Sequence, residues 1–211
     1  MAELNYETWK RREAYEFFSR LSNPFFMVTF RQDVTGLYDY VKKNGSSFYN
    51  AMIWCCTEAL NQIEAFRVTK RDGKLLLLDR RNPSFTVLKP GAEQFSIVTM
   101  EHIPDITRFC AEAAKKIQVQ TDFIDPEKET DDLIYYSCLP WLDLTALTNE
   151  RDMQGPGALD DSIPRIAWGK FTEENGRKKL GISVEVNHRF IDGFHIGQFA
   201  QRLDKIIEKL H

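Results

Sequence analysis

The chain has 211 residues, 43% hydrophobic and 12% aromatic, enough for a sizeable core and read as a single domain spanning residues 1–211. Its 28 basic residues against 31 acidic ones leave a formal charge of -3, which gives no electrostatic case for nucleic acid or an anionic membrane and directs attention to small molecules or another protein. Four cysteines include an adjacent pair and no CxxC, which argues against a metal cluster or disulfide framework; with no signal-peptide pattern and no apolar run of about 18 residues, a soluble cytoplasmic protein is expected.

In chain order, Trp9 to Leu21 carries aromatic and apolar residues at helical spacing, with Arg11 and Arg12 in its first turn. Two arginines there oppose the helix dipole, so a partner carboxylate for at least one of them makes physical sense. PFFMVTFRQDV reads as a strand after Pro24, and Val34 to Lys43 as a short helix closed by Asn44-Gly45. Ser46 or Ser47 caps a longer, buried helix running through Ala65. FRVTKRDGKLLLLD is a hairpin turning at Asp72-Gly73, and SFTVLKP and EQFSIVTME are two more strands separated by Pro90-Gly91.

Residues 104–119 form an amphipathic helix, and the acid-rich stretch 121–132 a surface loop. LIYYSCLPWLDLTAL reads as two strands bent at Pro140, followed by a Gly/Pro/Asp-rich loop over 151–164. RIAWGKFTEENGRKKLGISVEVNH is a hairpin turning near Asn175-Gly176, and the remainder is a helix with Ile196, Phe199, Ala200, Leu203, Ile206, Ile207 and Leu210 on one face. Hairpins outnumber βαβ units. The expected fold is therefore an α/β protein of the α+β two-layer sandwich type, a mixed, mainly antiparallel sheet with packed helices.

Of the four histidines, His102, His188, His195 and His211, only His188 and His195 lie near a chain corner, between the last strand and the last helix. His188 has two readings there, a general base working near neutral pH or an ordinary hydrogen-bonded strand-end residue. Asp192 likewise reads as a catalytic carboxylate or as the N-cap of the helix that begins at Gly193. No third ligand at metal spacing accompanies them, and GxSxG, GxGxxG and GxxxxGK[ST] are all missing.

The stretch NHRFIDGFHIGQFAQRL resembles the HHxxxDGFH signature of the type A chloramphenicol acetyltransferases, trimeric enzymes that share a fold with the acyltransferase cores of 2-oxo-acid dehydrogenase complexes. TWKRREAYEFF resembles that family's WxRREHFEF segment; ALNQIEAFRVTKRDGKLLLLDRRNPSFTV, EQFSIVTM and SCLPW follow in the family's order, so the similarity covers nearly the whole chain.

The resemblance implies an O-acetyltransferase that moves acetyl from acetyl-CoA to a hydroxyl of chloramphenicol or a similar aromatic. It implies no metal, and a homotrimer with active sites at subunit interfaces. It assigns the general base to His188, the oxyanion donor to Ser137, and a bracing pair to Asp192 and Arg11. The acceptor pocket falls to Phe17, Phe18, Phe95 and Tyr135, and the coenzyme channel to Tyr49, Trp141, Lys170 and Phe171. Three positions depart from the pattern: Asn187 replaces the first signature histidine, Ala167 a threonine and Ser47 a lysine. An acyltransferase with a different acceptor, or a non-catalytic trimeric binding protein, remain the alternatives.

Overall fold

The computed structural model describes residues 1–155 and 157–210, so His211 lies outside the described residues. In chain order the elements are β1 (Ala2–Glu3), α1 (Arg12–Phe18), β2 (Phe25–Asp33), α2 (Thr35–Asn44), α3 (Phe48–Asn61), β3 (Val68–Arg71), β4 (Lys74–Leu77) and β5 (Asn82–Val87). Then come β6 (Ser96–Thr99), α4 (Ile106–Val119), β7 (Leu133–Leu139), β8 (Arg165–Gly169), β9 (Thr172–Glu174), β10 (Arg177–Asn187) and α5 (Gly193–Ile207). The main sheet has seven strands in the order β2-β10-β8-β7-β5-β6, with β9 paired to β10; β1, β4 and β3 form a small second sheet. β7 runs parallel to both β5 and β8, and every other pair in the main sheet is antiparallel. This is the mixed, mainly antiparallel arrangement expected from the hairpin count.

The local sequence signals explain most boundaries. Asp72 and Gly73 (φ 49° and 79°) and Asn175 and Gly176 (φ 52° and 74°) supply the paired left-handed residues that a two-residue hairpin turn needs. The Ser47 hydroxyl caps α3 by accepting from Asn50 N. α3, α4 and α5 pack together over one face of the main sheet, burying Ala51, Met52, Cys55, Cys56, Phe109, Phe199 and Leu203 against Phe85, Tyr136, Trp168, Ile182 and Val184.

Two helix boundaries and one expected strand differ from expectation. α1 begins at Arg12 and stops at Phe18, because the Ser19 hydroxyl turns back to the Tyr15 carbonyl at 2.6 Å and also accepts from Arg189. α3 ends at Asn61, since Ile63 leaves helical geometry to bury its side chain before a short 3-10 turn over Glu64–Arg67. No second strand follows Pro140. Residues 141–144 instead cross the sheet at Gly169 and Gly181, where a Cβ would overlap the backbone of Leu142 or Leu144. The close approach is possible only because both positions are glycine.

The face of β10 away from the helices is polar. Ser183, Glu185 and Asn187 alternate with core residues Ile182, Val184 and Val186, and each of the three holds the loop over 147–161. Ser183 Oγ donates to the Leu147 carbonyl at 2.6 Å, and Glu185 accepts from Asn149 N at 2.7 Å and from Arg151 Nε at 2.6 Å. Asn187 Nδ2 donates to the carbonyls of Leu159 and Asp161 at 2.8 and 3.0 Å. These bonds fix the loop that walls the site described next. A second brace is Arg81, only 1% exposed, whose guanidinium donates to the carbonyls of Phe66, Val68, Asp131 and Leu133 and to Ser162 Oγ. Burial pushes its ionisation down to about 10, so it still carries its charge at neutral pH.

Candidate active site

His188 follows the last residue of β10, where its backbone N–H donates to the Pro24 carbonyl at 2.8 Å. Its ring lies between two phenyl rings, stacked on Phe18 at 3.8 Å between centroids and tilted against Phe26 at 4.2 Å. Burial lowers its pKa from the usual 6.5; Asp192 opposes that shift and Arg11 adds to it. The imidazole is therefore neutral at pH 7 and able to accept a proton.

Asp192 combines the two roles the sequence left open. It is the N-cap of α5, its Oδ1 accepting from Phe194 N at 3.4 Å, and its Oδ2 lies 3.5 Å from Arg11 Nη1 and 3.6 Å from His188 Nε2. The last two contacts are longer than hydrogen bonds, so the carboxylate acts on both neighbours mainly through its charge. Burial works against its ionisation, but the Phe194 N–H, Arg11 and His188 together hold its pKa below the usual carboxylate value. His195 completes a capping box by accepting from Asp192 N through Nδ1 at 2.9 Å, which places its own ring proton on Nε2.

Arg11 closes the corner from the far end of the chain. It caps α1 rather than lying in its first turn, and Nη2 donates to the His188 carbonyl at 2.6 Å. Arg12, the other arginine facing the helix dipole, is answered by Glu16 at 3.0 Å and by Glu7. Asn187, with both ends of its amide engaged and 2% exposed, anchors the corner to the 158–161 turn. Arg189 does the same for α1, donating to Ser19 Oγ, Tyr15 Oη, the Leu159 carbonyl and Asp160.

Ser137 stands elsewhere, in a cleft of about 690 Å³ that it lines with Thr86, Phe95, Tyr135, Trp141 and Arg165. Thr86 Oγ1 donates to Ser137 Oγ at 3.4 Å, which leaves the serine's own proton free to donate into the cleft. Of the residues assigned to an acceptor pocket, Phe95 and Tyr135 line this cleft. Phe18 lies on His188 instead, with Phe17 against it at 5.1 Å and 60% exposed. Of the coenzyme residues, Trp141 lines the cleft and is 69% exposed. Lys170 is exposed, and Phe171 packs on Tyr38 and Phe48. Tyr49 sits behind the cleft wall, its phenol donating to the Thr86 carbonyl at 2.7 Å and its ring packed on Phe85 and Trp168.

Ser137 and His188 are far apart within one chain. Ser137, Ala167 and Ser183 are in register across β7, β8 and β10, and His188 lies five residues beyond Ser183, just past the end of β10. At about 3.3 Å per residue and about 4.8 Å per strand, that is roughly 19 Å. Among the described residues no group of three or more His, Cys, Asp and Glu side chains is arranged to hold a metal ion.

A family model described as "Chloramphenicol acetyltransferase" matches residues 1–204. The chain belongs to the chloramphenicol acetyltransferase family. Chloramphenicol acetyltransferase 2 of Escherichia coli is 28% identical over 210 residues, covering 98% of this chain and 97% of the relative. A solved chloramphenicol acetyltransferase has the same fold, with a TM-score of 0.86 at 24% identity over 98% of this chain and 99% of that one. The dihydrolipoamide acetyltransferase of Azotobacter vinelandii shares the fold more distantly, with a TM-score of 0.69 at 17% identity over 94% of this chain and 86% of that one.

Within this chloramphenicol acetyltransferase family member, sequence reasoning overlooked Phe26, Thr86 and Glu129. Phe26 is in register with Val186 on the neighbouring strand, and Thr86 lies beside Ser137 across β5 and β7. Both reach the site through strand pairing, which leaves no local signal. Glu129 lies in the acid-rich loop, where it looks like one solvated charge among several.

Proposed function

We propose that this protein is an acetyl-CoA-dependent O-acetyltransferase that acylates a hydroxyl of chloramphenicol or a similar hydroxylated aromatic, as a homotrimer whose active sites are shared between neighbouring subunits. The observation that carries the reading is the separation of the half-sites. A base and an oxyanion donor must both lie about 3 Å from the reacting atoms, and one chain holds them roughly 19 Å apart. A second copy, setting its His188 face against the Ser137 cleft, supplies what each copy lacks.

In such a site the neutral His188 imidazole takes the proton from the acceptor hydroxyl as that oxygen attacks the thioester carbonyl of acetyl-CoA. Ser137 of the facing subunit donates its free proton toward the oxyanion, and Thr86 holds that hydroxyl in place. As the tetrahedral species collapses, the C–S bond breaks and the imidazolium returns the proton to the departing thiolate. Arg11 and Asp192 keep the histidine corner in place. Phe17 and Phe18 on one subunit and Phe95 and Tyr135 on the other form an aromatic acceptor wall. For the coenzyme, the exposed Trp141 ring suits stacking on adenine and the exposed Lys170 suits a phosphate, with Phe171 and Tyr49 supporting the wall. Both fits follow from side-chain chemistry and exposure.

The test is thiol release from acetyl-CoA with chloramphenicol as acceptor, for His188→Ala, for Ser137→Ala, and for the two inactive variants unfolded and refolded together. Shared sites predict that each variant alone is slow and that the mixture regains activity, because a mixed trimer pairs an intact His188 with an intact Ser137. A mixture no faster than its components rules out shared sites, and wild type no faster than His188→Ala rules out the chloramphenicol reading.

A further inference from the structure

The acceptor cleft contains a polar feature that an aromatic pocket for a neutral ligand does not need. Glu129, in the loop before β7, lines the same cleft as Ser137. Its Oε2 accepts from the Tyr135 hydroxyl at 2.7 Å, and its Oε1 is buried without a hydrogen-bond donor. Among the described residues it has no basic side chain within the 4.0 Å of an ion pair. Burial, and then the Glu129 carboxylate, push the Tyr135 phenol's ionisation upward, so the phenol stays a neutral donor.

A tyrosine has one proton to donate, and Tyr135 gives it to Glu129. The phenol oxygen and the carboxylate then present acceptor lone pairs only. The basic residue in the cleft wall, Arg165, has its guanidinium 5.7 Å from the Tyr135 ring centre, but its hydrogen bonds go to Asp161 Oδ2 at 3.3 Å and to the Glu150 carbonyl and not to Glu129. Two further carboxylates, Glu93 and Glu150, stand at the exposed rim of the same cleft. A carboxylate that lines the cleft without a hydrogen bond or ion pair to a basic side chain favours a ligand that brings both a donor and a positive charge.

We propose that the Glu129 carboxylate is the specificity element of the acceptor cleft, selecting hydroxylated aromatic acceptors that carry a protonated amine. This rests on the reading of the cleft as the acceptor site and names the class of acceptor it prefers. The amine lies at the Glu129 end and the reactive hydroxyl at the Ser137 end, so the ammonium is held by the cleft and is not acylated.

The experiment uses a matched pair of acceptors on the chloramphenicol framework, one keeping the para-nitro group and one carrying para-aminomethyl in its place. kcat/KM is measured for each by thiol release, and each is also titrated without acetyl-CoA by quenching of tryptophan fluorescence. Wild type should favour the aminomethyl compound by about tenfold or more, the size of one charge-assisted hydrogen bond. That ratio should fall with added salt and collapse about tenfold in Glu129→Gln, an isosteric change at a partly exposed loop position that is expected to fold. Tyr135→Phe, which keeps the carboxylate but frees it from its donor, should retain the preference. A preference for the nitro compound, or a ratio unchanged in Glu129→Gln, overturns the proposal. If neither compound is acetylated, the transferase reading fails separately; the binding titration still decides this one, because an aminomethyl affinity that Glu129→Gln leaves untouched overturns it and a tenfold loss supports it.

Discussion

Arg11 Nη2 donates to the backbone carbonyl of His188 at 2.6 Å, joining residues 177 positions apart. The same guanidinium faces Asp192 at 3.5 Å and is 14% exposed. One side chain thus ties the N-terminal helix both to the peptide that carries the histidine and to the cap of the final helix.

Arg11→Ala should lower stability by about 1–3 kcal/mol, toward the low end because Asp192 is 46% exposed and its charge is well screened. The loss of kcat should exceed that of acceptor binding, since the histidine loses its anchor while the cleft is intact. Arg11→Lys should recover only part, because a single ammonium cannot span the carbonyl and the carboxylate as a planar fork does. Urea unfolding and steady-state kinetics on the same preparations check both statements.

The pH dependence follows from His188. Its folded pKa lies below the ordinary 6.5, so kcat/KM should rise along a single limb centred below pH 6.5 and be flat through neutrality. The stability linkage has the same direction. Between the folded pKa and 6.5 the unfolded chain binds more protons, so this contribution is complete above about pH 6.5 and is lost as pH falls. His195, lowered by burial and then by Arg11, adds a contribution of the same sign. A midpoint above 6.5 in the rate profile contradicts the assignment of the base to His188.

Ser137→Ala should reduce kcat by about 10²–10³ with little change in acetyl-CoA affinity. Thr86→Val removes the donor that orients Ser137 without removing the serine, and should cost about tenfold or less. If coenzyme affinity collapsed in Ser137→Ala while kcat held, the serine would belong to binding and not to the oxyanion.

Gly181→Ala should destabilise the protein by about 1–3 kcal/mol or more, because the added methyl meets the Leu144 carbonyl, which is backbone and cannot swing away. The displaced crossing carries on into Leu147–Glu150, which wall the cleft, so acceptor KM should rise along with the loss of stability. A urea midpoint equal to wild type would mean that residues 141–144 do not press on the sheet.

By itself the sequence determined most of the secondary elements, the two left-handed hairpin turns and, through residues 187–203, the corner that holds His188 and Asp192. These are properties of short windows: periodicity, capping and turn chemistry act between residues a few positions apart. It did not determine where α1 stops, because Ser19 is held by Arg189 from 170 residues away. Nor did it show that the stretch after Pro140 crosses the sheet in place of forming a strand, since that depends on two distant glycines and a polar row on β10. Tertiary structure joined the two readings of Asp192, as a helix cap that also lies 3.5 Å from Arg11, and it alone set Thr86 beside Ser137. It also set Ser137 and His188 roughly 19 Å apart within one chain. Strand register sets that distance, and register is fixed only when the faces of a sheet bury their side chains together.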